Sequence, residues 1–323
     1  MVQTVVPQSK AQTSKRPNSM KAFPIYHMFE DFFTALQPAL VEIVVKAAAP
    51  DAIFLLGAAI DHRRSESIFT PSAPTAQYIG ACTVLVLLPE GSGKEVHEWQ
   101  DQVEAHCLAA LLPVTALVVR TSRFAGWLQE KHRFALTVRA SAPLLYDAGR
   151  VALPLADGEV PTLPDKAAEK IHTAGVQKAG EFLAGAELFR LRRQYAMAAF
   201  MLHQAAEQSL DTLVKTGTGF SANTHSIDRL LRYAALVSFR VAPILPQRTE
   251  KDKRLFRLLQ KAYIDSRYED YSITEDELRC LTGRVEELHR VVRDFGKTVF
   301  TPKPVTAEDR RDRLEDPRCT GMA

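Results

Sequence analysis

MAAFMLHQAAEQSLDTLVK, residues 197–215, and LFRLLQKAYIDSRYEDYSITEDELRCLTGRVEELHRVV, residues 255–292, decide how the second half of this chain folds. Met197, Met201, Ala205 and Ser209 recur every four residues, which predicts an amphipathic helix with Phe200, His203, Gln204 and Glu207 on or beside its apolar stripe. A His, a Gln and a Glu thus fall where a core face is expected. The second stretch predicts an apolar helix whose end is crowded by Tyr263, Arg267, Tyr268 and Tyr271. A new helix start follows at Thr274, with Glu277 three residues on as capping-box partner. Around these, helices are predicted near 166–191, 194–215, 225–238, 251–266 and 275–294. The loop KTGTGFSANTH offers Asn223 and Thr224 as caps, and the two prolines of FRVAPILPQRTEK predict a crossing without helix. Short connections elsewhere favour antiparallel neighbours.

Upstream the pattern changes. MFEDFFTALQPALVEIVVKAA predicts a helix broken or kinked at Pro38, IFLLG a short buried strand, and CTVLVLLP a strand buried on both faces. The helix EVHEWQDQVEAHCLAALL leads to a third strand, TALVVRTS, and RFAGWLQEKHRF is a further helix leading to ALTVRASAPLLYD. Strands alternating with helices indicate an α/β sheet with helical cover. The segment VALPLADGEVPTLPDK, with its three prolines, is the candidate linker. The expected organisation is a disordered basic lead at 1–22, an α/β domain at 23–150, a linker at 151–165, an all-α bundle at 166–296 and a disordered tail at 297–323.

The chain has 323 residues, 46% apolar and 24% charged, enough for two cores and unlike a fibrous or wholly disordered protein. Its apolar runs are too short or interrupted to cross a bilayer, and the N-terminal lead lacks the apolar stretch of a signal peptide. A cytoplasmic location is expected. The four cysteines, Cys82, Cys107, Cys280 and Cys319, are scattered with no CxxC spacing, so neither a zinc site nor a redox pair is indicated. No metal or other cofactor is implied. A net charge of +3 does not by itself indicate a nucleic-acid partner.

The polar groups of the two stretches carry the chemistry. His203 and Glu207, four apart, share a helix face, and Arg267 is the natural partner for the carboxylate. Two arrangements fit: a satisfied polar network that fixes helix register, or a pocket lined by His203, Gln204, Glu207, Tyr263, Arg267 and Tyr268 that holds a base or phosphate. His225, at a helix start beside Thr224, is read as a cap or packing residue, with a catalytic role open. The basic run Arg248, Lys251, Lys253, Arg254, Arg257 and Lys261 is diluted by Glu250 and Asp252 and reads as a solvated face.

Three blocks in order, AAFMLHQAAEQ, the Thr224–His225 pair opening SIDRLL, and the segment from LFRLLQKAYIDSRYEDYSITEDEL, resemble the HEPN family (higher eukaryotes and prokaryotes nucleotide-binding). The resemblance is specifically to members that follow a nucleotidyltransferase-like domain in one chain. The resemblance implies an up-and-down antiparallel helical bundle that commonly dimerises and binds a nucleotide or RNA. Many HEPN proteins are metal-independent ribonucleases of the toxin or host-defence type that use an Arg-x4-6-His motif. That motif fails after Arg267, where Ser272, Ile273 and Thr274 stand at the required spacing. Arg284 and His289 match literally, but five helical residues set them about 140° apart. If ribonuclease activity exists, Arg267 with His203 or His225 is the candidate pair.

The order of elements in the first half is similar to small nucleotidyltransferase domains. Those need a Gly-Ser turn for the triphosphate and paired acidic residues for magnesium. Here the turn reads Gly57, Ala58, and the strand that should begin with Asp-x-Asp reads Ala81, Cys82, Thr83. Asp61 and Glu66 fall in an insertion. A degenerate domain serving as scaffold or sensor is expected.

Overall fold

The computed structural model describes residues 30–61, 64–67, 82–154 except 92, 160–265 except 161 and 164, and 271–301. In chain order the elements are α1 (Glu30–Ala48), β1 (Ala52–Asp61), β2 (Arg64–Ser67), β3 (Cys82–Leu88), α2 (Val96–Ala109), β4 (Val114–Arg120), α3 (Thr121–Gln129), α4 (Arg133–Ser141) and β5 (Leu144–Asp147). The helical half follows as α5 (Lys166–Leu191), α6 (Tyr195–Thr218), α7 (Ile227–Ala234), a 3-10 turn (Phe239–Ile244), α8 (Glu250–Asp265) and α9 (Glu275–Phe300).

The sheet is mixed. β1 pairs antiparallel with β3, and β3 pairs parallel with β4 through the α2 crossover. Along its other edge β1 is shared by two short strands, β5 beside Ala52–Phe54 and β2 beside Gly57–Asp61, both antiparallel. The period-2 alternation of the strands sorts their side chains onto two faces. Ile53, Leu55, Val84, Val86 and Val118 turn to Leu40, Val44, Val103 and Cys107 of α1 and α2. Phe54, Leu56, Leu85, Leu87, Leu117 and Val119 turn the other way, to α3, α4 and the helical half. Both faces of β3 are therefore covered, and Thr83–Leu88 are all buried, as the unbroken apolar run predicts.

That second face has a consequence for the whole molecule. Sheet residues, Phe124 and Phe134 of α3 and α4, and Leu202, Leu213, Leu230, Leu259 and Leu288 of the bundle belong to one contiguous buried cluster. The α/β half and the bundle thus share a core, although a proline-rich segment joins them in sequence. Polar contacts edge this seam. Arg229 of α7 pairs with Asp101, and Arg232 with Glu104 at 3.0 Å, both acids on α2. The buried Tyr233 hydroxyl donates to Ala116 O at 3.1 Å and accepts from Gln100. Arg133 of α4 donates to the last carbonyls of α6.

The bundle is built on α5 and α6, reversed against each other at Arg193, which adopts φ 58. They approach closely at Gly175 of α5, where a Cβ would lie 2.0 Å from Thr212 Oγ1 and 2.9 Å from its Cβ. α9 starts with the expected capping box, Thr274 accepting from Glu277 N while Glu277 accepts from Thr274 N. The mixed sheet followed by an antiparallel helical bundle is the predicted fold class.

Several local expectations are corrected. α1 is not broken at Pro38, which lies inside the helix. ALTVRAS lies in α4 and only LLYD forms a strand, since Phe134, Ala135, Leu136 and Val138 are buried at helical spacing. Ser226, rather than Asn223 or Thr224, caps α7 by accepting from Arg229 N. The crossing at FRVAPILPQRTEK contains the 3-10 turn Phe239–Ile244, which packs Val241 into the core around Pro243. Among the described residues no helix is long and apolar enough to cross a membrane.

Candidate functional site

α6 carries His203 into the interior with no exposed surface, because Leu202, Ala206 and Leu210 around it pack the core. Its Nδ1–H donates to Leu259 O of α8 at 2.9 Å, which fixes the ring's orientation. The other nitrogen, Nε2, faces Glu207 Oε2 at 3.3 Å, within ion-pair distance but off hydrogen-bond alignment. The second Glu207 oxygen accepts from His225 Nδ1 at 3.1 Å. His225 stands just before the Ser226 cap of α7, with its side chain 58% exposed. One carboxylate therefore bridges a buried histidine and a surface histidine.

Tyr263, in the last turn of α8, lies between the same two rings. It stacks on His203 with centroids 5.3 Å apart and planes 28° off parallel, and on His225 at 4.4 Å and 17°. The result is a His203–Tyr263–His225 ladder running from the core to the surface, flanked by Glu207. Burial by itself would raise the Glu207 carboxyl, yet its contacts with His203 and His225 and their charges outweigh it and hold the group below the usual carboxylate range. An ionised Glu207 accepting from His225 Nδ1 leaves His225 Nε2 free of that contact, the arrangement by which a carboxylate orients a histidine for proton exchange.

Of the predicted site residues, then, His203, Glu207, Tyr263 and His225 come together. Gln204 is half-buried, and its Nε2 is enclosed without a hydrogen-bond partner. Arg267 and Tyr268, the expected partners of Glu207 and the pocket, lie outside the described residues. Of the cap or packing role foreseen for His225, the cap falls to Ser226, while the ring packs on Tyr263 and meets Glu207. Tyr271 turns its hydroxyl to Leu258 O at 3.0 Å, and burial pushes that phenol well above its ordinary pKa. The literal Arg284–His289 match does not assemble a site. Arg284 pairs with Asp252 of α8, whereas His289 lies near Gly180 of α5. Much of the basic run is neutralised locally, as Lys253 pairs with Glu250, Arg254 with Glu277 and Lys261 with Asp265.

In the α/β half the strand does not break where a phosphate turn would have to form. Gly57 pairs with Thr83 on one side and Ser67 on the other, and Ala58 with Cys82 and Glu66. β1 continues to Asp61 and turns back into β2. Gly57 therefore lies within a strand flanked by two others, next to a register shift between Leu55 and Gly57, where a triphosphate would need a turn. Among the described residues no group of His, Cys, Asp or Glu is placed to hold a metal ion.

A mixed-sheet domain and a helical bundle fused through a common core, with the polar cluster confined to the bundle, make this a two-part α/β and all-α protein. The bundle is a HEPN domain: residues 174–295 match the family model of that name. A nucleotidyltransferase-like protein from Exiguobacterium sibiricum 255-15, whose crystal structure is known at 1.90 Å, is similar over 83% of this chain and 77% of that one, at 12% identity and a TM-score of 0.29. No curated protein matches the chain in sequence.

Proposed function

We propose that this protein binds a nucleotide or an RNA end at the outer rung of the ladder, with the α/β half acting as an inactive, transferase-like scaffold. The observation that carries this is the exposed His225 ring, pre-stacked on Tyr263 and held by Glu207. A flat aromatic platform with its orientation already fixed offers a base a stacking partner at little ordering cost. The HEPN character of the bundle agrees with a nucleic-acid partner. Arg267, two residues beyond α8 in the chain, supplies the positive charge for a phosphate. His203, Gln204, Glu207, Tyr263 and Tyr268 complete the pocket. Fluorescence anisotropy with labelled adenosine nucleotides and a short single-stranded RNA tests this. Each base stack is worth about 1–3 kcal/mol, so His225→Ala should weaken binding roughly 5- to 150-fold. Unchanged affinity in His225→Ala would reject the platform.

A second reading is favoured by one further observation, the Glu207–His225 contact. A carboxylate-oriented histidine near an arginine can serve a metal-independent ribonuclease, with His225 or His203 moving the proton and Arg267 steadying the phosphate. Incubation with RNA in EDTA separates the two functions: cleavage lost in His225→Ala supports the enzyme, and binding without cleavage supports the module. Nucleotidyl transfer is not expected, because Ala58 stands in for the phosphate-turn serine and no carboxylate pair opens β3. Magnesium-dependent labelling by radioactive ATP, abolished by Asp61→Ala, would overturn that expectation.

A further inference from the structure

The histidine ladder does not use a cavity of about 270 Å³ at the opposite end of β1 from Gly57, bounded by the start of β1, the end of β3, α4 and the segment after β5. It adjoins the carboxyl end of β3, the side of an α/β sheet on which ligands gather. Phe54 and Leu87, both buried, form an apolar floor, and Leu144 and Val151, both substantially exposed, form the rim. A cavity of roughly 150 Å³ accommodates a benzene ring. This one has room for such a ring and a carboxyl-sized group as well.

Its polar groups are unequally satisfied. Asp51, although buried, is fully occupied, accepting from Thr121 Oγ1 at 2.6 Å and from Arg150 Nε at 2.9 Å. Arg150 also donates from Nη2 to Ala49 O and Pro50 O. Asp147 accepts from Gly149 N at 2.8 Å. Arg139 of α4 is different. Its Nε is enclosed and makes no hydrogen bond, and no ion pair joins it to any described residue. With Nε enclosed, the Nη donors of Arg139, which have no hydrogen-bond partner among the described residues, are the ones a ligand in the cavity can meet.

We propose that this cavity binds a small apolar monocarboxylate, aromatic or aliphatic, with its carboxylate on Arg139 and its hydrocarbon over Phe54 and Leu87. The planar guanidinium fork matches a carboxylate's two oxygens. Among the described residues that line the cavity, one unpaired cation beside two aspartates disfavours a dianion such as a phosphate monoester. The apolar floor excludes small hydrophilic acids, whose polar groups would find no partner there.

Calorimetric titration of the full chain with benzoate and with hexanoate tests the proposal, and the tighter of the two acids tells an aromatic from an aliphatic ligand. Binding should weaken roughly tenfold or more for neutral benzamide and in Arg139→Gln, since a charge-assisted bidentate contact is lost. Val151→Trp, at an exposed position, should block the mouth while leaving the fold intact by circular dichroism. The proposal is overturned if neither acid binds at up to about 10 mM, where a ligand of this size held by an ion pair should register. It is equally overturned if binding survives Arg139→Gln and Val151→Trp, or if phenyl phosphate binds more tightly than benzoate.

Discussion

Replacing Arg133 with methionine should weaken the whole molecule, and the size of the effect can be worked from its contacts. The guanidinium donates to the carbonyls of Lys215 at 3.1 Å, Thr216 at 2.6 Å and Gly217 at 3.0 Å. These belong to the last turn of α6, where the helix provides no donors of its own. Lys215 O retains Gly219 N, the bond made by the left-handed C-cap glycine at φ 82, so the Thr216 and Gly217 carbonyls are the ones stranded. Each stranded buried carbonyl costs about 1–3 kcal/mol, and losing a cation at a helix C-terminus adds up to about 1 kcal/mol. Arg133 is only half-buried, so water relieves part of this, and about 2–4 kcal/mol remains. Methionine keeps the apolar stem, which isolates the hydrogen bonds from the packing.

Urea unfolding should therefore shift its midpoint down by roughly 1 M, taking a slope of about 3 kcal/mol/M. Two signals should move together. Circular dichroism reports the helices, and Trp127, which meets Phe220 edge-on at 6.4 Å, reports the seam between the halves. Coincident transitions follow from the shared core. A shift no larger than that of the exposed control Lys131→Met would refute the role given to Arg133. Separate transitions for the two signals would refute the single core.

Gly175→Ala should lower the thermal midpoint despite alanine's better helix propensity, because the added methyl meets Thr212 at 2.0 Å and overpacking of this kind costs about 1–3 kcal/mol; a stabilised variant would mean that α5 and α6 can part easily. Glu277 is held down to about 2 by its hydrogen bond with Arg254, with the Thr274 cap contributing. A depressed carboxyl gives stability that is present above its ordinary 4.5 and is lost as pH falls toward 2, so the deficit of Glu277→Gln should be full at pH 6 and vanish near pH 2. A deficit independent of pH would show the carboxylate's charge to be irrelevant. We also expect a C2 homodimer through the helical half near Tyr263, Tyr268 and Tyr271, bringing two Arg267 regions together across the axis. Light scattering at tens of micromolar measures this directly, and a monomer whose nucleotide binding is unchanged by Tyr268→Ala would leave the dimeric pocket without support.

Much of this protein is written locally. The unbroken apolar run at 82–88, the four-residue recurrence from Met197 to Ser209 and the Thr274–Glu277 box each specify an element through contacts between near neighbours, and each formed as predicted. His203 and Glu207 could be placed on one face because four residues of helix fix their relation. Tertiary structure decided the rest. Periodicity says which face of an element is buried but not which element covers it, so nothing local revealed that the sheet face of Phe54 and Leu85 would be closed by the helical half. The same applies to the ladder: His203, His225 and Tyr263 lie on three separate elements, and they meet because α8 packs its Leu259 carbonyl against α6 and the loop before α7 folds over both. Gly57 looked like a degraded turn in sequence and is a strand residue, because β2 and β3 flank it on either side. Pro38 lies within a continuous helix, and ALTVRAS became helical because its apolar residues at three- and four-residue spacing had a core to enter. Local chemistry fixed the elements and their faces; long-range packing chose the neighbours, and with them the site.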